Sequence, residues 1–294
     1  MNESNSNKVL ITGAAGMLGS QLLLAVPEGV ATLGTDLREA PGVSALGVDL
    51  TDEDQVAELF REHGPFKGVI HAAAYTAVDK AEEEPELVER VNGRACGVLA
   101  RASAVAKIPL VMVSTDFVFD GEASVPYEPR HPTNPLSVYG RTKLSGELQA
   151  LEFHPDGTRI VRTQWLYGPR GKHFPGTILG LLEERDHVRV VSDQIGSPTS
   201  TLELAPALWD VLLKGEPGIW HATCEGEGSW YDFACATVEL SGIEDREVQP
   251  CPTEEFPRPA HRPPYSVLDC ERLTALRGAP MAHWRDALKT FLGT

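Results

Sequence analysis

Through the first two-thirds of the chain, short apolar runs alternate with stretches whose apolar positions recur at helical spacing. Residues 9–12, 30–35, 68–71, 110–114 and 159–163 read as strands, with a weaker strand at 45–48. Between them, residues 17–26, 52–61, 86–106 and 136–151 read as helices. The run at 110–114 is apolar almost throughout, as suits a strand covered on both faces. Strands alternating with helices of this length predict βαβ units, and so an α/β fold built on a doubly wound parallel sheet.

Beyond Tyr167 the pattern loosens. Helices are predicted at 177–184, 202–213, 229–240 and 284–291. Residues 250–264 carry six prolines, a density that excludes helix and central strand alike. A buried loop clamping a ligand and a surface connector both fit that stretch. The expected organisation is a nucleotide-binding core over 1–165 and a smaller α/β lobe over 166–294, with segments of the second part free to return to the core. The lobe would bind substrate.

Composition narrows the partners. There are 42 acidic against 26 basic residues, a net charge of −16, which argues against a nucleic-acid or anionic-membrane surface. Five cysteines, none in a CxxC pair, suggest free thiols in a reducing compartment rather than a disulfide framework. No histidines stand beside them at zinc-ligand spacing, so no metal site is expected. The polar N-terminus runs straight into the first strand, and no 18-residue apolar span occurs, so a cytoplasmic protein is expected.

The chemistry starts with ITGAAGMLG, which places Gly13, Gly16 and Gly19 between the first strand and the first helix. A tight turn, close approach of backbone to a diphosphate, and helix–strand packing each require a residue without Cβ. The helix N-terminus then offers unpaired N–H groups and a positive dipole end to the anion. A Rossmann-type dinucleotide site follows. Asp36, at the end of the second strand, is placed to bind ribose hydroxyls and favour NADH, while Arg38 could reverse that preference, so NADPH or NADH stays open. Asp52, or Thr51 paired with Asp54, serves equally well as a helix N-cap.

Tyr139 and Lys143 stand at i, i+4 near the start of a helix, on one face. A free phenol has a pKa of about 10, and an ammonium held beside it is expected to lower that value and fit the tyrosine to protonate a carbonyl. The strand at 110–114 ends in Ser114, Thr115 and Asp116, at the edge where such sheets bind ligands. Thr115 is positioned to donate to the same carbonyl, and Asp116 to accept from a substrate hydroxyl.

At this point the chain resembles the dTDP-4-dehydrorhamnose reductase family, in the extended branch of the short-chain dehydrogenases/reductases. The GxxGxxG spacing is typical of that branch. The most specific blocks are HAAAYTAVDKAE (71–82), STDFVFDG (114–121), PLSVYGRTKLSGE (135–147), RTQWLYG (162–168), SDQIGSPT (192–199) and WYDFA (230–234). The resemblance implies that Gly16, Met17 and Leu18 lie on the cofactor diphosphate and that Asp36, Asp49 and Leu50 hold the adenosine. Ala72, Ala73 and Tyr75 would line the nicotinamide side. Thr115, Asp116, Tyr139 and Trp165 would contact a dTDP-sugar, with Tyr139 the proton donor and Lys143 serving both Tyr139 and the cofactor ribose. A homodimer is compatible with it.

The sequence departs from the family at Phe117, where tyrosine is commoner, at His71, where asparagine is frequent, and at Tyr265, where a polar residue is common. Tyr265 bears on how the substrate's nucleotide end is bound. Arg262 suits a diphosphate partner, or a surface arginine steadying the proline-rich loop. Two rival readings share the scaffold. An epimerase or dehydratase would keep NAD bound with no net redox, although Asp116–Phe117 stands where dehydratases carry Asp–Glu. A regulatory subunit resembling that of methionine adenosyltransferase would keep the fold without catalysis.

Overall fold

The computed structural model describes residues 8–294, and the polar residues 1–7 lie outside the described part. The first half runs β1 (Lys8–Thr12), α1 (Met17–Leu24), β2 (Ala31–Asp36), β3 (Val43–Leu46), α2 (Glu53–His63) and β4 (Phe66–His71). It continues through α3 (Val78–Ala81), α4 (Pro85–Glu89), α5 (Ala95–Ala106), β5 (Leu110–Thr115), α6 (Val138–Phe153) and β6 (Thr158–Thr163). The second half begins with β7 (Leu166–Tyr167), α7 (Phe174–Glu184), β8 (His187–Val191), β9 (Ile195–Gly196) and β10 (Thr199–Ser200). It closes with α8 (Thr201–Lys214), β11 (Gly218–His221), β12 (Gly228–Ser229), α9 (Trp230–Leu240), β13 (Glu247–Cys251), α10 (Glu271–Arg277) and α11 (Trp284–Leu292).

Seven parallel strands form the main sheet in the order β3-β2-β1-β4-β5-β6-β11. The strand order reverses between β1 and β4, which opens a crevice at the carboxyl ends of both. Strand periodicity sorts the core into two layers. Val9 and Ile11 of β1, with Ile70, Val111 and Val161, pack against Leu204, Leu208 and Trp209 of α8. Leu10, Val69, Leu110 and Met112 face the other way, onto Cys96 and Ala100 of α5 and Ala150 of α6. Burying each large apolar side chain contributes about 1.5–3 kcal/mol. Trp209 also donates its indole N–H to the Leu22 carbonyl oxygen at 3.1 Å, tying α8 to α1.

The outer part of the second half has its own small core, in which Ile178 and Leu182 of α7, Val188 and Val190 of β8, and Ala234 and Val238 of α9 pack together. The doubly wound sheet and the smaller α/β lobe are both present. Differences from the sequence reading are local. The helix expected over 86–106 is interrupted by one π-helical stretch at Arg90–Arg94. Pro250 sits inside β13, a position open to it because β13 pairs with β8 alone and so leaves an edge free.

Candidate active site

A cleft of about 980 Å³ opens at the carboxyl ends of β1, β2, β4, β5 and β6. Its phosphate-loop side is built by the glycines. Gly13 adopts φ +67°, and a Cβ there would stand 2.6 Å from the Ala73 backbone nitrogen. A Cβ on Gly19 would overlap the Gly13 carbonyl oxygen. Gly16 is the N-cap of α1 and brings no side chain to the first turn, so the helix end stays open to an anion. This cradle fits a dinucleotide diphosphate, with Met17 and Leu18 also on the cleft wall.

Asp36, Asp49, Leu50 and Arg38 line the neighbouring stretch. Asp36 is engaged on both oxygens, accepting from Ala15 N at 3.0 Å and from Arg38 N at 2.9 Å. The α2 cap is Asp52, which accepts from Asp54 N at 2.9 Å and Gln55 N at 3.2 Å. Asp49 accepts from Thr51 N at 2.9 Å. Ala72 and Ala73 line the cleft after β4. Tyr75 does not. Its ring packs beside Ala81, Val88 and Val138, and its hydroxyl donates to Glu84 Oε2 at 2.7 Å. The alternation beyond β4 breaks into a loop, so spacing from Ala73 gave no guide to where that ring turns.

Ser137 caps α6 by accepting from Gly140 N at 3.1 Å, and the helix then presents Tyr139 and Lys143 to the cleft. Lys143 is buried and donates from Nζ to the Val113 carbonyl oxygen at 2.6 Å. The expectation of a phenol acidified by this ammonium is not met. Burial pushes Tyr139 up to about 12, the neighbouring Thr115 hydroxyl works against that, and the Asp116 charge adds to it. The helix brings the two residues to one face, but the ammonium is turned to the strand behind.

Thr115 is buried at the end of β5, accepting from Phe117 N at 3.2 Å and donating to Asp116 Oδ1 at 3.0 Å. Asp116 is 1 % exposed, and burial raises its carboxyl to about 6. Trp165 adopts φ +49° and stacks on Trp230 at 3.7 Å with the rings 11° apart. The partner indole was not foreseen as a cleft residue. Ser229 and Asp232 form a capping box that fixes Trp230 in the first turn of α9, a signal readable from SWYD. Arg262 reaches the cleft wall, but its guanidinium makes a two-pronged bond to Asp79, at 3.0 Å on each side. Tyr265 donates to Glu227 Oε2 at 3.2 Å.

Two further residues were given no role from sequence. His71, buried at the end of β4, meets Thr12 Oγ1 through Nδ1 at 2.7 Å, and burial holds it neutral down to about 3. Behind α6, Glu147 binds Arg162 at 2.6 Å and 2.9 Å and accepts from Ser114 Oγ at 2.5 Å.

A doubly wound sheet, a glycine cradle at its switch point, and tyrosine, lysine and threonine in one cleft define a nicotinamide-dependent oxidoreductase of the short-chain type. The family described as "RmlD substrate binding domain" matches residues 7–294. The chain is 42% identical over 287 residues to a dTDP-4-dehydrorhamnose reductase of Streptomyces griseus, covering 95% of this chain and 91% of that one. A crystal structure of a dTDP-4-dehydrorhamnose reductase from Clostridium acetobutylicum superposes with TM-score 0.90 at 41% identity, covering 97% of this chain and 98% of that one. One from Bacillus anthracis, in complex with NADP, gives TM-score 0.90 at 35% identity, covering 97% and 98%. The chain belongs to the dTDP-4-dehydrorhamnose reductase family, and it is an NAD(P)H-dependent enzyme. Among the described residues no helix is long and apolar enough to cross a membrane.

Proposed function

We propose that this protein reduces the C4 carbonyl of dTDP-4-dehydro-L-rhamnose (dTDP-6-deoxy-L-lyxo-4-hexulose) to the alcohol, giving dTDP-L-rhamnose, with NADPH or NADH as reductant. The observation that carries the reading is that Thr115, Tyr139 and Lys143 line one cleft with the glycine cradle. When bound, the reduced nicotinamide supplies a hydride to the carbonyl carbon. The charge then building on the carbonyl oxygen is met by two hydroxyls. Tyr139 gives that oxygen its proton, and Thr115 donates a hydrogen bond to it. The phenol's raised pKa suits a group that must hold its proton until the oxygen becomes basic.

Lys143 would serve the cofactor ribose rather than acidify Tyr139. Its bond to Val113 fixes the ammonium against β5. Trp165 and Trp230 offer a flat apolar wall on which a sugar ring can pack.

The test is an assay with the 4-keto sugar nucleotide and NADH or NADPH supplied separately, scoring stoichiometric cofactor oxidation and product stereochemistry. Tyr139→Phe should lower kcat by about 100-fold or more, since only the proton donor is lost. Cofactor affinity, read from nicotinamide fluorescence, should stay within about twofold. Full turnover by the phenylalanine variant refutes the assignment.

A further inference from the structure

The residue after Thr115 is a buried acid whose situation the proposed reaction does not explain. Asp116 is 1 % exposed, and its Oδ2 has no hydrogen-bond partner. Its Oδ1 is bonded to Thr115, and the Ser266 hydroxyl is the other side chain beside it. Among the described residues no cation answers it. Lys143, on α6, is turned to Val113, Arg162, on β6, is locked to Glu147, and Arg262 is bound to Asp79. The titratable group that faces it is Tyr139, from α6. His71, which lines the same cleft from β4, is held neutral by burial.

We propose that Asp116 works as an uncharged carboxylic acid, and that its proton decides whether the Thr115 hydroxyl is free to bind the reacting carbonyl. This rests on the reduction proposed above. The argument is a count of hydrogens and lone pairs. Thr115 has one hydrogen and two lone pairs, and Phe117 N–H occupies one pair. Against an ionised Asp116, the Thr115 hydrogen is spent on Oδ1. With Asp116 protonated, the acid O–H fills the second lone pair of Thr115, whose own hydrogen is released toward Tyr139 and the substrate oxygen.

Charge points the same way. Proton donation leaves Tyr139 a phenolate, and an anionic Asp116 beside it makes that phenolate harder to form. A neutral acid imposes no such penalty. Burial without a counter-ion already raises the Asp116 carboxyl to about 6, so both forms are accessible around neutrality. Asp116 is therefore a positioning residue acting through Thr115, and one that confers a pH limit.

Asp116→Asn places a permanent N–H donor where the acid proton would be. In the wild type, kcat/KM for the keto sugar should fall about tenfold per pH unit above the apparent pKa of Asp116. The asparagine variant should keep at least about a third of the wild-type rate at about pH 5.5 and show no such limb up to about pH 8. An independent readout needs no turnover. The infrared difference between wild type and Asp116→Asn, or Asp116→Ala if the amide does not fold, should contain the stretch of an un-ionised carboxyl at about pH 5.5 and lose it by about pH 8. A loss beyond about tenfold at every pH in a folded, cofactor-binding Asp116→Asn, or absence of that band at the acid end, overturns the proposal. A wild type that oxidises no cofactor with the keto sugar sinks the functional reading instead, and the infrared band still decides the state of Asp116.

Discussion

At the end of β2, both oxygens of Asp36 are occupied by the backbone N–H groups of Ala15 and Arg38. The carboxylate therefore braces the glycine loop as well as facing the cleft. A residue acting only as a ribose reader would discriminate between NADH and NADPH. A brace affects both. Asp36→Ala should weaken both cofactors by about tenfold, the worth of one hydrogen bond to a charged acceptor. Fluorescence titration with each cofactor checks this, and a loss confined to NADH would show that the contact to Ala15 contributes nothing. The glycines and the Tyr–Lys spacing could be read from sequence because each answers a steric or spacing demand that leaves few alternatives. The electrostatics could not. Whether Lys143 acidifies Tyr139 depends on where an ammonium at the end of four methylenes points, and it points to Val113.

Among the elements, α6 carries Tyr139 and Lys143, and its footing is Glu147, one turn beyond Lys143. That carboxylate gathers Arg162 from β6 and Ser114 from β5, with the side chains of Glu147 and Arg162 each only 2% exposed. The ion pair thus ties the helix bearing Tyr139 to β6, and the Ser114 hydrogen bond ties it to β5, the strand ending in Thr115. Removing one partner strands the other as a buried charge, so Glu147→Ala should cost about 3–5 kcal/mol in urea unfolding. Glu147→Leu with Arg162→Met should recover most of that loss, because a matched apolar pair leaves no charge behind. A single-variant cost below about 1 kcal/mol would mean the pair contributes little to the footing. The long elements of the sheet and its covering helices were readable from periodicity, since each buries a continuous face. The strands β8, β11 and β13, beyond the stretch where alternation is clear, were not, nor were the two-residue strands β7, β9, β10 and β12, which carry no period at all.

Across the whole molecule, the chain doubles back. β11 extends the main sheet beyond β6, and α8 covers the face carrying Val9 and Ile11, so the second half completes the core that the first half begins. Gln164, Trp165 and Trp230 then enter the same cleft as the glycine cradle. The carboxyl ends of the strands gather buried titratable groups, with His71 ending β4, Asp116 following β5 and His221 ending β11. Burial lowers both histidines from 6.5 to about 3, and it raises Asp116 from 3.8 to about 6. For each histidine the unfolded chain takes up a proton that the fold refuses, so its contribution is complete above about pH 6.5 and is lost as pH falls toward 3. Asp116 has the opposite sign. Its contribution is complete below about pH 3.8 and is lost as pH rises through about 6. Between those limits one histidine offsets Asp116 and the other is left over, a net slope from these three groups of about 1.4 kcal/mol per pH unit, stability falling with acid. His221→Asn should lower the measured slope by about 1.4 kcal/mol per pH unit between about pH 4 and 6, as read by urea unfolding at stepped pH, while above about pH 7 the difference from wild type becomes independent of pH. Parallel stability curves for the two proteins across the acid range would show that His221 accepts its proton in the folded state.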